Sequence, residues 1–208
     1  EWFNYYLKDI GEEPEPMVQI QTHDGRWHVE ETWPPEDMTW LLQDISSEWD
    51  GASGTVNGLG SSVTITSGVF EQDTHVSGLP TLHLDVTTQV CQGGQIFATL
   101  FDETANLRLG HATMDIRYRD GGYEAKPTAP ASQYTMLMEF NPLDVVIPAG
   151  HSLRIELTET GEDYLPSPCA TNPLGGLTIN GGVIGLPIID RSPSHEAWFE
   201  AAHWPNTA

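Results

Sequence analysis

Lysine is almost missing from this sequence. Only Lys8 and Lys126 occur in 208 residues, and eight basic side chains in all face 30 acidic ones. The net charge of −22 repels phosphate backbones, which excludes nucleic acid as a partner. Anionic membrane surfaces are disfavoured for the same reason. Long hydrophobic runs are missing too: no stretch of about 18 apolar residues exists, so no membrane-spanning helix is predicted. No signal peptide is visible. Glu1 falls inside an amphipathic helix motif, so an upstream part is expected and the missing signal carries no weight.

Catalytic signatures are equally scarce. An α/β-type serine hydrolase needs Gly-x-Ser-x-Gly at the end of a parallel strand. Ser53 follows Gly51 but precedes Thr55, and Ser62 follows Gly60 but precedes Thr64. The alternation of strands and helices that supports such an elbow is absent as well. No catalytic residue is assigned, and the chain alone is expected to hydrolyse nothing. No His-Glu-x-x-His occurs. His28-x-Glu30 and His83-x-Asp85 each put two ligand types on one strand face, whereas zinc wants three or four. Both read as solvated strand faces. Asp24-Gly25 and Asp50-Gly51 raise Ca²⁺ weakly, but neither sits in a run of spaced acidic ligands, and turn chemistry accounts for them. No cofactor is expected.

Cysteine is limited to Cys91, in Q-V-C-Q-G-G, and Cys169, in S-P-C-A-T-N-P. A pair in separate turn-like segments suits a disulfide in an exported protein; two unrelated free thiols are the alternative. The acids are spread along the chain rather than run together, which favours a solubility adaptation over a dedicated cation-binding surface.

What the sequence has in quantity is punctuation: 20 Gly and 15 Pro between short apolar runs, a pattern of many strands joined by turns. Trp2, Phe3, Tyr6 and Leu7 fall at helical spacing before Gly11 to Pro14 break the helix. Val18 and Ile20 alternate with Gln19 and Gln21, and Asp24-Gly25 signals a hairpin toward Trp27 and Val29. Alternation continues through 39–42, Val63 and Ile65, Leu82 to Val86, Met114 to Tyr118, Tyr134 to Phe140, and Leu153 to Leu157. Ile96 to Phe101 is apolar on both faces and is predicted to be a central strand. Leu177–Ile179 and Val183–Ile189 complete about ten strands, which implies two packed antiparallel sheets. Ser194 could cap a short terminal helix carrying Trp198 and Phe199, or the tail could be a purification remnant or part of a longer parent chain.

Five segments in order, W-F-N-Y-Y-L-K-D, then P-M-V-Q-I-Q with G-R-W-H-V-E-E-T-W-P-P, then F-E-Q-D-T-H-V-S-G-L-P-T-L-H-L-D-V, then A-G-H-S-L-R-I, then V-I-G-L-P-I-I, resemble one family. It is the C-terminal β-domain of X-prolyl dipeptidyl-peptidases and cocaine-esterase-like serine hydrolases. The resemblance implies an all-β jelly-roll sandwich of galactose-binding-like type, with residues 1–12 leaving an upstream α/β-hydrolase catalytic domain, 13–192 forming the sandwich and 193–208 a tail. It implies an accessory, non-catalytic role, with Trp2, Phe3 and Tyr6 touching that catalytic domain. The parent enzyme would cleave X-Pro dipeptides or small esters and amides. The alternative is a free-standing module that binds carbohydrate, peptide or a protein surface. Trp27 and Trp40 sit at inward-type strand positions and are expected in the core, and Trp33 resembles a packed corner. Trp49, in S-E-W-D-G, is the candidate exposed platform for stacking on a ligand.

Overall fold

A computed structural model describes residues 2–14, 18–25, 27–90, 93–120, 123–161, 172 and 175–190. The chain opens with a seven-residue helix, α1 (Trp2–Lys8). Strands follow in order: β1 (Val18–Gln21), β2 (Trp27–Glu30), β3 (Thr39–Asp44), β4 (Trp49–Asp50), β5 (Gly54–Val56), β6 (Val63–Ser67) and β7 (Thr74–Gly78). Next come β8 (Thr81–Thr88), β9 (Gln95–Asp102), β10 (Leu107–Asp115), β11 (Gln133–Glu139), β12 (Leu143–Ile147), β13 (Leu153–Thr158) and β14 (Leu177–Ile189). All described pairings are antiparallel. One sheet has the order β10-β9-β13-β6-β4; the other holds β11, β8, β14, β7 and β12, with β3 and β5 also paired to β14. The all-β sandwich is as expected.

Alternation decides which side of each strand is buried. In β8, Leu82, Leu84 and Val86 are fully buried while His83 and Asp85 face outward. In β13, Leu153, Ile155 and Leu157 point inward. β9 lies between β10 and β13 and is buried on both faces along most of its length, so its central position is as the apolar run predicts.

Three local expectations need correction. Leu177–Ile179 and Val183–Ile189 are one strand of 13 residues, not two. Its register shifts between Ile179 and Gly181, and the glycines there are obligatory. Gly181 and Gly182 have φ of +122° and +148°, and a Cβ on Gly182 would stand 2.0 Å from the His83 carbonyl oxygen. The alternation Met114 to Tyr118 does not continue as strand: Ile116–Tyr118 is a 3₁₀ turn. The Asp115 carboxylate accepts a bond from the Arg117 backbone N–H (2.9 Å), and that cap bends the chain where apolar spacing predicts extension. Finally, the C-terminal helix proposed after Ser194 lies outside the described residues.

The outward side of the β14 sheet is divided. Against the free edge of β12 lies the β1–β2 hairpin, whose His23 N–H donates to the Asp144 carbonyl (2.9 Å). Pro34 follows a cis Trp33–Pro34 bond, and its Cβ would be 3.6 Å from a Cβ placed on Gly78. Over β3, β8, β11 and the middle of β14 no other described element lies on the outward side.

Candidate functional site

Two exposed apolar surfaces stand out. The first is α1. It buries none of its residues, and Trp2, Phe3, Tyr6 and Leu7 are 56, 67, 47 and 70% exposed. Trp2 packs on Phe3 and Tyr6 with ring centroids 5.3 and 4.8 Å apart, so the aromatic residues form one cluster. The Tyr6 hydroxyl donates to the Glu13 carboxylate (3.2 Å), which ties the helix to the segment that follows. Partial desolvation raises the phenol pKa, and the Glu13 bond and charge add to that. The three residues expected at a domain interface are therefore brought together, on one short element, with no cover of their own.

The second surface is the bare part of the β14 sheet. Register places Glu139, Thr81, Gly185 and Leu42 in one row across four strands. The next row holds Leu137, His83, Val183 and Asp44, and Trp40 pairs with Pro187 at the other side. Trp40, Leu42 and Leu137 are 48, 65 and 40% exposed. Gly185 explains the shape: a Cβ there would meet Trp40 Cε3 at 3.2 Å and Leu42 Cδ2 at 3.3 Å. Without one, both side chains lean over the strand and flatten the face.

The tryptophans reverse the sequence reading. Trp49, the proposed stacking platform, is only 5% exposed. Its strand pairs with β6, and its indole N–H donates to the Gln43 amide oxygen (3.2 Å), so the ring closes the edge of the core. Trp27 and Trp40, expected inside, are 41 and 48% exposed. Alternation marks two faces of a strand, but both sheets here have an outer face that also carries apolar residues. Trp33 is half-buried at the hairpin corner, as a packed corner requires.

Histidine–carboxylate pairs do exist, but as latches. His75 Nε2 lies 2.5 Å from Asp144 Oδ1 between β7 and β12, with side chains 4 and 1% exposed. Ser77, the register partner of Asp144, is fully buried, so no substrate reaches this group. His151 Nδ1 lies 2.7 Å from Asp102 Oδ2, joining the start of β13 to the end of β9. Among the described residues, no group of three or more His, Cys, Asp or Glu side chains could hold a metal ion. Asp85 of the His83-x-Asp85 pair accepts a bond from Thr135 Oγ1 (2.7 Å) on the open sheet face. Glu30 is 8% exposed, and the side chain of His28 lies outside the described residues. Asp24 accepts from Thr22 Oγ1 (2.5 Å) and serves the hairpin turn. Cys91 and Cys169 also lie outside the described residues.

A family model for the X-Pro dipeptidyl-peptidase C-terminal non-catalytic domain matches residues 11–178. The chain belongs to this family. A Bacillus anthracis protein provisionally named as an Xaa-Pro dipeptidyl-peptidase is 24% identical over 90% of the chain, and the match takes up 36% of that relative. A Bacillus cereus protein of the same provisional name is 23% identical, with 37% of its length covered. The chain thus spans little more than a third of the curated relatives it matches. Solved structures with the same fold include an aminopeptidase from a Thaumarchaeota archaeon of marine sediment, with TM-score 0.69 and 13% identity. A CocE/NonD family hydrolase from Staphylococcus aureus gives TM-score 0.67 and 12% identity. Each aligns with about 90% of this chain, and the chain covers 43 and 44% of them.

Proposed function

We propose that this domain serves as the accessory β-domain of a larger acyl hydrolase, either an X-Pro dipeptidyl-peptidase or a related esterase. It packs on the α/β-hydrolase domain of the same polypeptide and shapes access to its active site. The observation that carries this is the family match over residues 11–178, in a chain that covers 36 and 37% of its curated relatives. The exposed aromatic cluster of Trp2, Phe3 and Tyr6 supports it, because an uncovered cluster of this kind on a seven-residue helix calls for a neighbour.

The isolated chain is expected to show no turnover of X-Pro aminoacyl or short-chain ester chromogenic substrates. Activity above buffer that survives repurification sinks the accessory reading.

Export with a Cys91–Cys169 bridge belongs to the same proposal. Gln89 N–H donates to the Gly176 carbonyl (3.3 Å), so Gln89, two residues before Cys91, and Gly176, seven residues after Cys169, are neighbours. The closed loop would span 78 residues (169 − 91), worth about 4 kcal/mol in the chain-entropy picture. Thiol titration of the denatured, unreduced protein is expected to find no free thiol; two free thiols remove the bridge and the argument for export.

A further inference from the structure

We propose that the bare face of the β14 sheet, centred on Gly185 and walled by Trp40, Leu42 and Leu137, is the surface that meets the hydrolase domain. This rests on the accessory-domain reading and names its contact face.

Three observations select face and occupant together. The face carries the exposed apolar side chains Trp40, Leu42 and Leu137, with His83 and Thr81 between them, and it is low in relief because Gly185 lets Trp40 and Leu42 lie over the strand. It is also broad: four adjacent strands at about 4.8 Å spacing give roughly 14 Å from Leu137 to Asp44. On the other part of the same sheet His75, Ser77 and Asp144 are buried, with the β1–β2 hairpin and Pro34 beside them, so among the described residues this part is the open remainder.

Charge then narrows the occupant. β3, β8, β11 and β14 contain no Lys or Arg, while Asp44, Asp85 and Glu139 are exposed around the apolar centre. The complementary surface is an apolar patch rimmed by arginine or lysine. A second copy of this chain has the opposite of that chemistry, since each copy brings a net charge of −22 and the same acidic rim. The match to relatives supplies the alternative: nearly two thirds of their length lies beyond the region shared with this chain. A neighbour in the same polypeptide meets the face at high effective concentration and needs little intrinsic affinity.

Hydroxyl-radical footprinting with mass spectrometry tests this on the isolated chain and on the complete polypeptide encoded by its gene. Trp40, Leu42 and Leu137 are expected to lose labelling about 5-fold in the complete polypeptide, as residues entering an interface core do. Tyr123, fully exposed, is expected to stay unchanged. Leu42→Lys in the complete polypeptide is expected to restore labelling of Trp40; its side chain is 65% exposed, so the fold tolerates it. Unchanged labelling of Trp40 with protection of Trp2 and Phe3 overturns the face and leaves the accessory reading standing. No change anywhere in the chain overturns both. Protection of the isolated chain that deepens with its own concentration assigns the face to a second copy instead. Protection of the isolated chain by soluble xylan or β-glucan assigns it to carbohydrate. Either result overturns the proposal.

Discussion

At the scale of single residues, the tryptophans separate what packs from what is displayed. Trp49 fills the edge of the core and bonds Gln43, so Trp49→Ala is expected to cost about 3 kcal/mol through the cavity it leaves. Trp40→Ala removes a half-exposed ring from an open face and is expected to cost under ~1 kcal/mol in the isolated chain. Urea unfolding of both variants checks the contrast, and equal losses would place both rings in the core. The same pair marks the limit of the sequence reading. Strand alternation identified the buried Leu82, Leu84 and Val86 because their neighbours His83 and Asp85 are polar. It misplaced Trp40 because Thr39, Trp40, Leu41 and Leu42 offer apolar residues to both faces. Trp49 stands in a short strand whose turn-like neighbours suggested solvent; its burial depends on β6, distant in spacing and invisible locally.

At the scale of elements, the end of β3 shows how a strand is stopped and held. The Ser46 N–H donates to the Asp44 carboxylate (2.7 Å), and the Glu48 N–H donates to the Asp44 carbonyl (2.9 Å). The Ser46 backbone and hydroxyl bonds hold the Asp44 carboxyl below its ordinary pKa, against a small opposing effect of burial. A carboxyl lowered on folding stabilises the fold above its unfolded pKa, and that contribution disappears as pH falls through the folded value. Asp44→Asn is therefore expected to lower the urea midpoint near neutral pH and to converge on the parent protein as acid protonates the Asp44 carboxyl. A gap that stays constant with pH would show that the amide and the carboxylate cap alike. Elements with clean alternation, such as β8, β11 and β13, were legible at their centres. The join at Asn180 to Gly182 was not. Consecutive glycines read as a turn between two strands, whereas β8 and β3 on either side pull the segment into one bulged strand. The aromatic cluster of α1 was legible in full, because helical spacing and a Gly–Pro break need only local sequence.

At the scale of the whole molecule, two properties dominate. One is charge. With −22 to hold together, self-repulsion opposes the compact state in dilute buffer, and counterions relieve it. Melting temperature is expected to rise between low salt and roughly molar NaCl, where screening acts within about 3 Å. A flat or falling trend in a thermal scan would mean the carboxylates are already neutralised. The other property is how late the sheet closes. β14 is the last described strand; among the described strands it alone pairs with β3 and β5, and it closes the second edge of β7 and of β8. A ribosome emits the chain from the N-terminus at about 5–20 residues per second, so those four strands wait several seconds for their common partner. During that interval β8 has only β11 to pair with and β7 only β12, and the edges of β3 and β8 that β14 will cover lie open to other nascent chains. Late closure of this kind leaves sheet edges uncovered for as long as synthesis takes to reach β14.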